Sequence, residues 1–358
     1  MTIYIICFVI ALSGLVFFVS NVKNRINNNV LKFILFLQIL VISLTVAFRD
    51  MIGGYDIFVY RMFFHLSYDF INIFNYEKFY YFINVFISHL SNDNFYVFIF
   101  LISIFIYFII YIVIKRNISL AFLLFFVVFC KFYFLSFVYI RQMLAVPFVW
   151  MAFNFLYNNN RNKYFLFLLI AIFFHTSALI GIIAIFVKNI KFPINKFLVI
   201  IIVLFIFAFS GVGNGILNIV SMFLNKGDYS FFSRNYFYLI ESIIFFFFLF
   251  ILFPNNNKER NLFFNLGFVY CCLMIIASTN ATLVRISWYF FFPLCYYIFD
   301  VIDVDNVSRV KKLIVVFFIM YSSFIYFRTM IVWDGGDFIP YQTYFSDEVR
   351  PSRWNMYK

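Results

Sequence analysis

The residues best suited to chemistry in this chain are arginines and proton carriers that stand beside long apolar runs. The arginines are Arg49, Arg141 and Arg285. An arginine offers five donors and a permanent charge, so it can hold a diphosphate through paired hydrogen bonds. The proton carriers are Glu77, His175 and Asp56, which are of the types that take a proton from an attacking hydroxyl group. If the fold brings them together, these residue types predict a group transfer from a diphosphate to a hydroxyl.

The elements that must position these residues are membrane helices. The chain has 358 residues, is 65% hydrophobic and has a mean hydropathy of +0.98, whereas a soluble domain is about half apolar. Runs of about 18 apolar residues, each long enough to cross a bilayer core of about 30 Å, recur from end to end. The sequence therefore predicts an all-α, polytopic integral membrane protein with a single transmembrane domain over residues 1–358. About eleven spans are expected, over residues 2–20, 30–48, 95–114, 118–137, 140–157, 164–187, 196–212, 236–253, 262–279, 285–302 and 311–329.

Other features of the composition exclude several kinds of site. The five cysteines lie inside apolar runs without metal-ligand spacing, so we expect buried free thiols, no metal and no other cofactor. The net charge of +12 favours cytoplasmic loops beside anionic lipid. Because no basic stripe is interleaved with exposed aromatic residues, a nucleic-acid partner is not expected. The sequence has no Walker loop, nucleophile elbow or H-E-x-x-H motif.

Basic residues near the ends of the spans predict the orientation of the chain. The loop 21–32 carries Lys23, Arg25 and Lys32 and should be cytoplasmic, so the longer loop 49–94 should be external. With this orientation the three arginines, the two acids and Tyr341 fall at the outer membrane face, and His175 lies at that face or below it. The candidate site is therefore expected on one side of the membrane.

The segment 164–187 does not fit the charge rule as a simple span. A single crossing would place Lys188, Lys191 and Lys196 outside, where basic residues are disfavoured. We expect instead a re-entrant segment of two half-helices that breaks near His175. Non-helical backbone within a membrane occurs where protein or a water-filled cavity covers it. An ordinary tilted span is the alternative.

The external loop 49–94 should contain a short amphipathic helix. One side of this helix would carry polar groups at helical spacing, namely Glu77, Tyr81, Asn84 and Ser88. Another side would carry apolar groups, namely Phe79, Phe82, Phe86 and Leu90. We expect the helix to lie on or dip into the external membrane interface, with its carboxylate, hydroxyl and amide groups forming a sugar-binding surface.

Together these patterns indicate glycosyl transfer from a lipid-linked diphosphate at the outer face. Arginines at the lipid–water boundary would hold the diphosphate, which is a good leaving group once its charge is neutralised. A carboxylate or His175 would take the proton of the attacking hydroxyl. Structural interpretations compete with this one, because arginines can snorkel at span ends and His175 can be a buried histidine with its hydrogen bonds satisfied.

The order of several short motifs resembles a known family. The motifs are Ala47-Phe48-Arg49-Asp50, Gly54-Tyr55-Asp56 with Tyr60, Glu77 with Tyr80, Arg141-Gln142-x-x-Ala145, Phe174-His175-x-Ser177-Ala178-Leu179-Ile180, Arg285 with Tyr289, and Ile339-Pro340-Tyr341. In this order, in a chain of this hydropathy, they resemble the EpsG-like, Wzy-type polysaccharide polymerases, which include bacterial O-antigen polymerases. The resemblance extends over most of the chain.

The resemblance implies a GT-C-like glycosyltransferase of the bacterial inner membrane with its active site facing the periplasm. Such an enzyme transfers a glycan chain from undecaprenyl diphosphate onto the non-reducing end of a new undecaprenyl-diphosphate-linked repeat unit. Membrane lipid and a separate chain-length regulator are the other expected partners. By this resemblance, the residues expected to bind the diphosphate are Arg141, Arg285 and Arg49. Those expected to activate the acceptor hydroxyl are Glu77, His175 and Asp56. Those expected to bind sugar are Tyr60, Tyr80, Tyr81, Gln142 and Tyr341.

Proteins of other classes would use similar residues. A flippase or exporter of lipid-linked oligosaccharides would need charges at both faces and at the midplane, whereas those of this chain gather on one predicted side. A membrane acyltransferase would have an Asp or Asn beside its mid-membrane histidine, and none accompanies His175. A glycosyltransferase with a monophosphate sugar donor is a third alternative.

Overall fold

The computed structural model describes residues 1–22, 26–65, 77–191, 194–210, 235–253, 260–279, 283–301, 309–332 and 337–346. Helices dominate and no strand occurs within these ranges, so the all-α prediction is confirmed for them. The helices are α1 (Thr2–Val22), α2 (Asn28–Ala47), α3 (Gly54–His65), α4 (Lys78–Ser91), α5 (Phe95–Ile114), α6 (Ile118–Phe132), α7 (Leu135–Val138), α8 (Ile140–Tyr157), α9 (Arg161–Phe174), a 3₁₀ helix (Thr176–Ile182), α10 (Ile183–Val187), α11 (Ile194–Phe209), α12 (Tyr236–Ile251), α13 (Arg260–Ala277), α14 (Val284–Val301) and α15 (Arg309–Val332).

Among the residues that the structure describes, each predicted span overlaps helical structure. By length and composition, three stretches of the described helices could cross a membrane, namely Asn28–Ala47, Phe95–Ile114 and Lys312–Val332. The first two have 20 residues each, and a helix of that size is about 30 Å long, the thickness of a bilayer core. Shorter apolar helices make up much of the rest. The number of spans and the GT-C-like architecture stay predictions.

Asparagine side chains start several of these helices. Asn27, Asn94 and Asn235 precede α2, α5 and α12. The side-chain oxygen of each accepts a hydrogen bond from the backbone N–H two residues further on. This bond satisfies one of the N–H groups that the first turn of a helix leaves without a partner. The boundaries of these apolar helices are therefore encoded by polar residues at their ends.

The helices group into two compact units. The first consists of Met1–Met151, Leu166–Thr176 and Asp303–Lys358, and the second of Ala152–Phe165 and Ser177–Ile302. Each unit contains a helix with a long stretch that is buried on all sides, as expected of an interior helix. In the first unit the buried stretch is 120–130 of α6, and in the second it is 287–295 of α14. Whether the two units act as the single predicted domain stays a prediction.

The first unit contains the amphipathic helix expected in the loop 49–94. This helix is α4, and it follows a further helix, α3, for which the sequence analysis made no prediction. The buried side of α4 includes Asn84 and Ser88, whereas Phe82, Phe86 and Leu90 are exposed. An exposed row of large apolar side chains suits a helix that rests on lipid. The polar side of α4 consequently faces the protein.

The C-terminal segment 337–346 packs along residues 45–53. Its backbone pairs with this loop in the antiparallel sense, at Arg49 and Thr343. The Tyr4 hydroxyl of α1 donates a further hydrogen bond, of 2.7 Å, to a carbonyl of the same segment. The segment therefore fixes the loop that follows α2.

Gly53 allows this loop to approach α7 closely. Its φ is +141°, and a Cβ atom added to it would lie 2.4 Å from the carbonyl oxygen of Phe137. The same oxygen accepts a hydrogen bond of 3.4 Å from Arg49. A residue with a side chain would be strained in this backbone conformation and would displace that carbonyl group.

The variant Gly53→Ala should lower the free energy of unfolding by roughly 2 kcal/mol or more, from backbone strain and a steric clash. The variant Gly14→Ala is the matched control, because the three atoms nearest to its added Cβ all belong to the end of the flexible Gln38 side chain. Thermal unfolding of the protein in detergent measures both effects. The midpoint should fall by several degrees for Gly53→Ala and stay near the wild-type value for Gly14→Ala. Equal midpoints in all three proteins would contradict this account.

Candidate active site

Glu77 is the centre of a cluster of charged side chains in the first unit. It stands directly before α4, and its side chain is 9% exposed. Its Oε1 atom lies 2.5 Å from Nδ1 of His175 and accepts a 3.0 Å hydrogen bond from the backbone N–H of Thr176. Its Oε2 atom lies 3.3 Å from Nη1 of Arg141. One carboxylate therefore joins the start of α4, the start of α8 and the chain immediately after α9.

The helix break at His175 supplies one of these hydrogen bonds. α9 ends at Phe174, His175 is not helical, and the 3₁₀ helix begins at Thr176. The N–H of His175 still donates to the carbonyl of Ala171 at 2.9 Å, but the first N–H of a new helix has no acceptor within that helix. Glu77 provides the acceptor. The predicted break is thus present in the backbone, whereas its re-entrant course through the membrane stays a prediction.

Arg141 lies over two tyrosine rings. Its Cζ atom is 5.8 Å from the ring centroid of Tyr60 and 5.8 Å from that of Tyr80, a distance at which a cation is attracted to an aromatic face. The two rings meet edge to face, with centroids 6.1 Å apart. The side chain of Arg141 is 33% exposed, and its contact with Glu77 is a single hydrogen bond, not a bidentate pair. The guanidinium group is therefore held in place with donors left over for a ligand.

The surroundings of Glu77 keep it ionised. Burial raises the pKa of this carboxyl, but the hydrogen bond from His175, the charges of His175 and Arg141, and the Thr176 N–H outweigh burial, so the pKa lies below the ordinary value of 4.5. The bond to Nδ1 of His175 directs the other ring nitrogen, Nε2, away from the carboxylate. The side chain of His175 is 25% exposed, and Nε2 is the ring nitrogen that the contact with Glu77 leaves available to a proton. The cluster can bind an anion at Arg141 and accept a proton at His175.

Arg49 has a different environment, because its donors are bonded to the protein. Arg49 is 2% exposed to solvent. The guanidinium donates to the carbonyl oxygens of Val46 at 2.6 Å, Ile52 at 3.1 Å and Phe137 at 3.4 Å, and to the Ser103 hydroxyl at 3.3 Å. Arg49 thus fastens α2, α5 and α7 to the loop between α2 and α3. Four hydrogen bonds from this guanidinium go to protein acceptors in this structure, and diphosphate binding by Arg49 stays a prediction.

The residues predicted to bind sugar are mostly buried. Tyr60, Tyr80 and Gln142 are 6%, 3% and 3% exposed, so neither tyrosine ring is open for stacking on a sugar in this structure. The hydroxyl of Tyr341 donates a 2.8 Å hydrogen bond to the carbonyl of Thr45, and its ring is partly exposed. Tyr81 is also partly exposed, on α4. Sugar binding by Tyr341, Tyr81 and Gln142 stays a prediction.

The two other predicted residues belong to different units. Asp56 lies on α3 in the first unit, one helical turn before Tyr60. Arg285 lies in the second unit, exposed in the first turn of α14. On the same helix the hydroxyl of Tyr289 lies 2.8 Å from that of Ser177. The convergence of Arg285 with Arg141 stays a prediction.

The sequence analysis missed the contribution of the Thr176 backbone. The break near His175 was expected to be covered by protein or a water-filled cavity, without a prediction for the N–H groups that it releases. A hydrogen bond to the Thr176 N–H could have been expected from the sequence, because a helical segment that restarts after a break begins with N–H groups that lack partners. An acid in an adjacent loop is a natural acceptor for such a group.

One comparison with known proteins finds a match. A sequence profile described as the EpsG family matches residues 32–343. The matched range contains the whole cluster of Glu77, Arg141 and His175. No curated protein and no solved structure matches the chain.

The cluster predicts how stability depends on pH. Because the pKa of Glu77 is lower in the folded protein than its ordinary value of 4.5, the ionised carboxylate stabilises the fold. This stabilisation is complete above the unfolded pKa and is lost as the pH falls through the folded-state pKa. The variant Glu77→Gln should therefore show a smaller drop in thermal midpoint on acidification than the wild type. Midpoints measured in detergent across the acid range test this, and equally steep drops would exclude the assigned charge.

A pair of arginine variants tests the two different arginine environments. Arg49→Lys should reduce the folded yield and the thermal midpoint, because one ammonium group cannot serve four acceptors and each buried acceptor left without a donor costs about 1–3 kcal/mol. Arg141→Lys keeps a positive charge beside Glu77 and should leave the midpoint near the wild-type value. A stable Arg49→Lys protein that has lost activity would restore the predicted diphosphate role of Arg49.

Proposed function

The chain belongs to the EpsG family, a family of glycosyltransferase-like polysaccharide polymerases of membranes, and on that premise we propose a specific reaction for it. The protein transfers a glycan chain from undecaprenyl diphosphate onto the non-reducing end of a new undecaprenyl-diphosphate-linked repeat unit. The reaction takes place at the periplasmic face of the bacterial inner membrane. Its product is O-antigen or a related surface polysaccharide.

The observation that carries this proposal is the contact of Glu77 with both His175 and Arg141. Glycosyl transfer from a diphosphate needs a group that neutralises the leaving group and a group that accepts the proton of the attacking hydroxyl. Arg141 is suited to the first task and His175 to the second. Glu77 holds both side chains in position.

In the proposed reaction His175 is the general base. Its Nε2 atom takes the proton of the acceptor hydroxyl as the hydroxyl oxygen forms a bond to the anomeric carbon of the donor glycan. The bond between that carbon and the diphosphate oxygen breaks, and undecaprenyl diphosphate leaves with the bonding electrons. Glu77 stabilises the protonated imidazole through Nδ1, the role that a buried carboxylate plays beside a catalytic histidine.

Arg141 binds the diphosphate of the donor. Its single 3.3 Å contact with Glu77 leaves further donors for phosphate oxygens. A diphosphate carries more negative charge than one carboxylate, so it competes well for the same guanidinium group. Arg285 is proposed as a second ligand of the diphosphate, and a separate chain-length regulator as a partner that limits the polymer.

A deletion strain tests the reaction class. Without the protein, surface lipopolysaccharide should carry single repeat units in place of a polymer ladder on a gel. If the protein were instead a flippase or exporter of lipid-linked oligosaccharides, repeat units would be missing from the cell surface altogether. A ladder of normal length in the deletion strain would refute both functions.

Complementation with point variants tests the assigned roles. His175→Ala should abolish the ladder, because loss of a general base lowers the rate by about 10²–10⁴-fold, and Arg141→Ala should abolish it through loss of diphosphate binding. His89→Ala and Arg61→Ala are matched controls in the same unit and should restore the ladder. Immunoblots of membrane fractions show whether each variant is inserted. A full ladder with an inserted Arg141→Ala protein would overturn the diphosphate role.

A further inference from the structure

Two buried polar atoms on α4 lack a hydrogen-bond partner. They are the hydroxyl oxygen of Tyr80 and the Oδ1 atom of Asn84, and neither makes a hydrogen bond of good geometry within the described part of the chain. The Asn84 side chain approaches the Tyr80 hydroxyl without reaching that geometry. Both residues are 3% exposed. A buried polar group without a partner costs free energy and is rare in folded proteins, so a pair of them calls for an explanation.

The two residues lie on the same side of α4, next to the candidate active site. Tyr80 and Asn84 are one turn apart on the buried side of α4, and the Nδ2 group of Asn84 donates a 2.7 Å hydrogen bond to the Tyr80 carbonyl. That bond fixes the amide so that Oδ1 is presented as an acceptor. The ring of Tyr80 lies under Arg141, with Cζ 5.8 Å from its centroid, and against Phe98, at 6.1 Å between centroids.

The Tyr80 hydroxyl is a neutral donor at any physiological pH. Burial raises its pKa and the neighbouring Tyr60 adds to this effect, while Arg141 and the Asn84 side chain act in the opposite direction with a smaller total effect. The pair therefore offers one O–H donor and one carbonyl acceptor side by side. A ligand group that both donates and accepts a hydrogen bond would satisfy the two atoms together.

We infer that the Tyr80 hydroxyl and Asn84 Oδ1 form a subsite for a sugar hydroxyl of the lipid-linked glycan, next to the site of glycosyl transfer. This inference rests on the proposed function. In the subsite the Tyr80 O–H donates to the sugar oxygen, and the sugar O–H donates to Asn84 Oδ1. Tyr80 thus recognises sugar through its hydroxyl group, and not by stacking as the sequence analysis expected.

Binding measurements on the detergent-solubilised protein test the subsite. The probes are the undecaprenyl-diphosphate-linked single repeat extracted from a polymerisation-deficient strain, and undecaprenyl diphosphate without glycan. Tyr80→Phe should weaken binding of the first probe roughly three- to tenfold, the worth of one neutral hydrogen bond, and leave binding of the second unchanged. Asn84→Ala should act in the same direction.

The stability of the free protein separates recognition from a structural role. Tyr80→Phe removes a hydroxyl without a partner, so the thermal midpoint without ligand should stay equal or rise. The matched control is Tyr107→Phe, whose hydroxyl lies 3.3 Å from that of Ser136 in the same unit. This control should lower the midpoint and leave both affinities unchanged.

The outcomes distinguish the subsite from the polymerase reaction. A Tyr80→Phe protein that binds the lipid-linked repeat as tightly as the wild type, or a wild type that does not bind it, overturns the subsite whatever the polymer ladder shows. Conversely, an unchanged ladder in the deletion strain, together with selective loss of repeat binding in Tyr80→Phe, leaves the subsite standing and removes the polymerase assignment.

Discussion

The carboxylate of Glu77 is the constraint on which the candidate site depends. A carboxylate that is 9% exposed is costly unless donors surround its oxygens. Here the donors come from the imidazole of His175, the backbone of Thr176 and the guanidinium of Arg141. Since Glu77, Arg141 and the pair His175–Thr176 lie on three chain segments far apart in sequence, the need to compensate one charge fixes the start of α4, the start of α8 and the break after α9 together.

Sequence reasoning was most accurate where the signal is local. Apolar runs located the helices, because the cost of exposing an unpaired backbone in lipid makes a long apolar run helical. The polar and apolar faces of α4 were predicted from helical spacing, since residues three and four apart lie on the same side of a helix. The break in the segment 164–187 was predicted from the positions of lysines beyond it, and the helix is interrupted at His175. Glu77, Arg141 and His175 were each predicted as candidates, and the structure places them in contact.

Tertiary partners of polar side chains could not be predicted in this way. The packing of the C-terminal segment 337–346 on the loop after α2 depends on backbone hydrogen bonds. Nearly every residue type can form such bonds, so the amino-acid sequence does not reveal them. The burial of Tyr60 and Tyr80 depends on α3, α4 and α8 packing close enough for Arg141 to cover the rings. A tyrosine is compatible with a stacking surface, a buried contact or a hydroxyl donor, and only its neighbours decide among them.

The two arginines of the first unit show how neighbours decide the role of a residue. Both begin from the same chemistry, a planar cation with five donors, and both stand near the end of an apolar run. Around Arg49 four protein acceptors use the donors, and the residue is 2% exposed. Around Arg141 the acceptors in the described part of the chain are one oxygen of Glu77 and the Tyr60 hydroxyl, and the side chain is 33% exposed. A guanidinium with four of its five donors bonded to buried protein acceptors stabilises the fold. A guanidinium with fewer protein acceptors and access to solvent can bind a charged substrate, so the number of acceptors that the protein itself provides separates a structural arginine from a ligand-binding one.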